Sequence, residues 1–87
     1  MIIVVNHKIN NPGSFWASAQ QNLPNLPEAG VNRVVQVLPN EDMTEATCLW
    51  DAESVDSLDK YLRSKVQDWS SESYHTVNAA NAMGMPA

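Results

Sequence analysis

Two histidines, one cysteine and a handful of aromatic side chains carry most of the chemistry open to this 87-residue chain. His7 follows the apolar run at residues 2–5, and His75 lies near the other end, between Tyr74 and Thr76. If the strands that hold them run side by side and antiparallel, the polar end of one meets the beginning of the other. Both imidazoles then reach a common pocket, and Glu72 can join them. A transition metal accepts imidazole and carboxylate together, and three protein ligands leave one position open for water. The spacing matches no recognised motif and depends on strand register. The alternative is a pair of hydrogen-bonded or solvated histidines.

A second constellation is aromatic. Cys48 and Trp50 are two residues apart, so on a strand they share a face, and with Trp16, Tyr74 and Trp69 they can line an apolar cleft. Such a cleft with a few polar groups is how a small aromatic or quinone-like molecule is held, with Asn6 and His7 at its edge. The competing reading is that these rings fill the core of a short chain. Cys48 as a nucleophile needs a base and an electropositive setting, and the sequence shows neither. Glu41, Asp42, Glu45, Asp51 and Glu53 gather around one strand, mostly at turns and strand ends, where a solvated surface is expected. No glycine-rich phosphate loop, CxxC pair, HExxH or nucleophile elbow is present.

Composition narrows the function classes. The formal charge is −5, with five basic residues against ten acidic ones, which disfavours electrostatic capture of nucleic acid. A lone cysteine in an apolar run points to a buried thiol in a reducing, cytoplasmic setting. The apolar start is too short for a secretory leader, and nothing approaches membrane-spanning length.

The elements that must position these residues follow a βαββαβ order. Residues 2–8 form a strand apolar on both sides at Ile2, Ile3, Val4 and Val5. Asn11 and Pro12 start a helix carrying Phe15, Trp16, Ala19 and Leu23, which Pro24 stops before a loop through Gly30. A strand over 31–38, a polar turn at 39–42 and a strand over 44–52 make a hairpin. Ser54 caps a second helix with a stripe of Val55, Leu58, Leu62 and Trp69, braced by Asp56–Lys60 and Asp59–Arg63 pairs on its outer face. Ser70 and Ser71 end that helix, and a short fourth strand covers 72–78. Residues 79–87 read as a tail or arm beyond a single domain spanning 1–78.

Right-handed crossovers place both helices on one side of an antiparallel sheet whose middle strands are the first and third, the ferredoxin-like arrangement. The other face then leaves apolar area on the order of several hundred Å² uncovered, a size that marks an interface. On the second strand, Val34 and Leu38 are expected on one face and Val35 and Val37 on the other. A two-fold homodimer, sheet against sheet, is the simplest cover.

The order of elements and the segment Thr47-Cys48-Leu49-Trp50-Asp51-Ala52-Glu53-Ser54-Val55 resemble the dimeric α/β-barrel superfamily. That segment is similar to the strand-to-helix piece of a small nickel-binding branch. In that branch, paired histidines close the first strand, and the pair aligns here with Asn6 and His7. The first histidine is thus absent, and the second helix lacks the one often found there. Other members that this architecture resembles are cofactor-independent monooxygenases and small-ligand-binding proteins. The oxygenase resemblance implies a pocket in which Asn6, His7, Trp50 or Tyr74 polarises or deprotonates an electron-rich substrate. Three readings follow: a cytoplasmic homodimer that binds a small ligand without a cofactor, a cofactor-independent monooxygenase or isomerase, and a transition-metal protein using His7 and His75. Neither nucleic acid nor a membrane is an expected partner.

Overall fold

A computed structural model describes residues 1–85. Six main elements follow the expected order: β1 (Ile2–Ile9), α1 (Pro12–Asn22), β2 (Val31–Pro39), β3 (Glu45–Ala52), α2 (Val55–Val66) and β4 (Ser70–Thr76), with a 3-10 turn, Leu23–Asn25, closing α1. The strands form one antiparallel sheet in the order β2-β3-β1-β4. The fold is therefore ferredoxin-like α+β, with β1 and β3 central and both helices against one face.

Alternation along the strands builds the core. Ile3, Val5, His7 and Ile9 of β1, and Ala46, Cys48, Trp50 and Ala52 of β3, face the helices and are buried. They meet Phe15 of α1 and Leu58, Tyr61, Leu62 and Val66 of α2. Each helix start satisfies one orphan backbone donor through its cap. Asn11 accepts from the Ser14 amide at 3.2 Å, and Ser54 accepts from the Ser57 amide at 3.0 Å. Gly30 needs its missing side chain twice over. Its φ is +81°, and a Cβ there would approach Ser57 and Glu53 to 3.1 Å.

Three expectations are corrected. The second helix ends at Val66, not at Ser70, because Gln67 adopts φ 52° and turns the chain with neither glycine nor proline to announce it. Trp69 thus lies between elements, and β4 starts two residues earlier than expected. Asp59 and Arg63 are not partners, since Tyr74 Oη donates to Asp59 at 2.7 Å and Arg63 turns to Glu72. The Asp56–Lys60 pair does form, at 3.2 Å on an exposed face. On β2, register irregularities between Val31 and Arg33 and between Val34 and Gln36 reset the alternation. Val34 and Val37 lie opposite Trp50 and Cys48 on the helix side, while Gln36 and Leu38 lie opposite Leu49 and Thr47 on the open side.

The open face is consequently mixed. Ile2, Val4 and Leu49 form an apolar centre, and Leu38 is 51% exposed, but Asn6, Lys8, Thr47, Ser71, Ser73 and His75 surround them. Past β4, the Val77 amide donates to the Ile2 carbonyl at 2.9 Å, and Met83 is wholly exposed. The last two residues of the expected tail, Pro86 and Ala87, lie outside the described residues.

Candidate ligand-binding site

Between the helix layer and the sheet lies an apolar cavity of about 40 Å³. Its walls include Phe15, Trp16 and Leu23 from the α1 side, Tyr61, Leu62 and Val66 from α2, and Val37, Cys48, Trp50 and His7 from the sheet. Three of these residues carry a buried polar atom with no partner among the described residues: His7 Nε2, Trp50 Nε1 and Tyr61 Oη. Each unpartnered buried donor or acceptor costs free energy, and all three belong to residues that line this one cavity.

His7 is the best-defined of the three. It is 2% exposed, its ring meets Phe15 edge-on at 5.3 Å, and its Nδ1 lies 2.8 Å from Glu72 Oε2. Antiparallel register places Glu72 directly opposite His7 on the same face. The Ser70 hydroxyl donates to the same carboxylate oxygen, and the Arg63 guanidinium meets Oε1 as an ion pair. Arg63 also donates to the carbonyls of Gln67 and, at 3.2 Å, Ser70, which ties the end of α2 to the start of β4. Burial, and then the positive charge of Arg63, lower the His7 pKa to about 4. Burial chiefly, with the nearby guanidinium charge, favours the neutral imidazole at pH 7.

The aromatic walls are arranged edge to face. Trp50 and Tyr61 stand 6.0 Å apart at 63°, and Phe15 and Trp16 stand 4.8 Å apart at 82°. Trp16 is only half-buried, and its indole donates to the Met43 carbonyl at 3.0 Å, linking α1 to the β2–β3 turn. Lys65 also borders the cavity, but its ammonium is paired with Glu28 at 2.9 Å and lies 5.6 Å over the Tyr61 ring. Burial, with Glu28 nearby, raises the Tyr61 pKa. The Cys48 thiol is pushed up to about 12 by burial, which leaves it a packing group rather than a nucleophile.

Of the residues expected at the site, His7, Trp16, Cys48 and Trp50 are brought together. Asn6 and Tyr74 are not. Asn6 points to the open side, where it accepts from Thr47 Oγ1 at 2.8 Å. Tyr74 lies opposite Val5 on the helix side, where its hydroxyl is committed to Asp59, and burial with that bond raises its pKa. His75 lies opposite Val4, an odd three residues along β4 from Glu72, so His7 and His75 occupy opposite faces of the sheet. Among the described residues no three His, Cys, Asp or Glu side chains gather in a metal-binding cluster. Tyr61 and Arg63 were not foreseen at the site. Tyr61 was legible, since it follows Leu58 by three and precedes Leu62 on the buried stripe. Arg63 was not, because its partner comes from a different element.

A scan of protein-family models and a search of curated proteins give no match to this chain. The structure is similar to a crystal structure from Bordetella bronchiseptica provisionally described as an antibiotic biosynthesis monooxygenase. The TM-score is 0.56 at 18% identity, over 87% of this chain and 95% of that one. At that identity, topology and coverage agree on one conclusion: the chain is a ferredoxin-like α+β domain with its cavity between the helices and the sheet.

Proposed function

We propose that this protein binds a small aromatic or quinone-like ligand in the cleft between the helices and the sheet, and does so as a homodimer. The observation that carries this reading is the group of unpartnered atoms, His7 Nε2, Trp50 Nε1 and Tyr61 Oη, on residues around a single aromatic-walled cavity. A volume of about 40 Å³ has room for little more than a water or two, so an aromatic ring must displace part of the wall. The yielding part is α1, which buries only Phe15 and Ser18, while Trp16 and, in the 3-10 turn that follows, Leu23 remain half-buried. The dimer is supported by Ile2, Val4, Leu38 and Leu49 on the open face. Titration with small aromatic probes, followed by tryptophan emission, tests the cleft. Saturable binding should disappear in Ala19→Phe, which fills the cavity from α1. Binding that is unsaturable, or unchanged in that variant, would place the probe elsewhere.

A second reading, a cofactor-independent monooxygenase, is favoured by the neutral His7 and its unpartnered Nε2. That nitrogen suits a general base that takes a phenolic proton and leaves an electron-rich anion for reaction with dioxygen. The likeness to a protein described as a monooxygenase supports the same direction. Oxygen consumption with hydroquinone-type substrates, lost in His7→Ala while the fold persists, would favour the enzyme. Consumption unaffected by that change would count against it.

A further inference from the structure

His7 does not merely border the cleft; its surroundings decide which nitrogen carries the proton. Glu72 Oε2 lies 2.8 Å from Nδ1 and also accepts from the Ser70 hydroxyl, while Oε1 is ion-paired with Arg63. The Ser70 hydroxyl donor and the Arg63 ion pair, on a side chain only 1% exposed, favour Glu72 as a carboxylate, which can accept but not donate. The shared proton must therefore sit on Nδ1, leaving Nε2 as a bare lone pair. We propose that Glu72, oriented by Arg63 and Ser70, is a positioning residue that locks His7 in the Nδ1–H form, so that the cleft prefers neutral ligands carrying a hydroxyl or N–H donor. This rests on the cleft reading above and specifies its chemistry.

The rest of the lining agrees with that preference. The Lys65 ammonium is already engaged by Glu28, so an anionic ligand finds no free cation there. Trp50 Nε1 is a donor only and Tyr61 Oη can donate, so these two lining residues carry donors while His7 carries the acceptor that a ligand hydroxyl or N–H requires. A ligand without a donor leaves the buried Nε2 unpaired, and a lost partner of that kind discriminates by about tenfold or more.

The test has two readouts. Two-bond ¹H–¹⁵N correlation on the imidazole should show His7 with Nδ1 protonated and Nε2 bare. In Glu72→Gln the amide has one acceptor, which Arg63 claims, so its NH2 turns to Nδ1 and the tautomer should invert. In parallel, the affinity of phenol relative to toluene should fall about tenfold from the wild type to Glu72→Gln. A wild-type His7 protonated at Nε2 overturns the proposal without using any variant. Phenol and toluene that bind in the same ratio to both proteins overturn it while leaving the cleft reading intact. If neither probe binds the wild type, the cleft reading falls and the ligand preference falls with it, whatever the tautomer.

Discussion

His7 couples the candidate site to stability. In the unfolded chain its pKa is near the ordinary 6.5, whereas the fold lowers it to about 4. Between those values the unfolded chain binds a proton that the folded one refuses, so this contribution is full above about pH 6.5 and is lost as the pH falls toward 4. Chemical denaturation should show a loss on the order of 2 kcal/mol from pH 7 to pH 5. His7→Gln should flatten that slope, and equal stability of the wild type at both pH values would refute the burial argument. Tyr61 separates function from folding. Its hydroxyl is buried and unpartnered, so Tyr61→Phe should leave stability within about 0.5 kcal/mol or raise it, yet weaken aromatic ligand binding. A large loss of stability would reveal a structural partner for that hydroxyl.

At the scale of elements, α2 is the rigid wall of the cleft and α1 the softer one. Leu58, Tyr61, Leu62 and Val66 are buried on α2, and the end of that helix is anchored to β4 through Arg63. Leu62→Ala should cost about 2–5 kcal/mol in urea unfolding, since it enlarges a cavity that already exists. A loss below about 1 kcal/mol would mean that α1 collapses into the space. The sequence made both helices legible through their caps and apolar stripes, because Asn11-Pro12 and Ser54 act locally. It did not make the end of α2 legible. Gln67 takes a left-handed conformation that its side chain does not favour, and carbonyls nearby are held by an arginine reaching toward another strand.

At the scale of the whole molecule, the helices leave one sheet face open to a second copy, and the register irregularities in β2 decide which of its residues lie there. Val37 lies in the cleft wall, so Val37→Lys should unfold or precipitate the protein rather than yield soluble monomers. Leu49→Lys or Val4→Lys, at the centre of the open face, should instead give folded monomers by light scattering with the circular dichroism preserved. A wild type that is already monomeric at high concentration would remove the dimer from the proposed function.

The sequence by itself determined the element order, the sheet with two helices on one side, and the shared face of Cys48 and Trp50. Those features depend on periodicity and caps, which act within a few residues. Only the tertiary structure decided that His7 meets Glu72 rather than His75, that Arg63 leaves Asp59 for the same carboxylate, and that Tyr61 belongs to the cleft while Asn6 and Tyr74 do not. The reason is register. A shift of one residue between β1 and β4 exchanges the two faces of the sheet, and that shift is set by packing across the whole sheet rather than by any local run of residues.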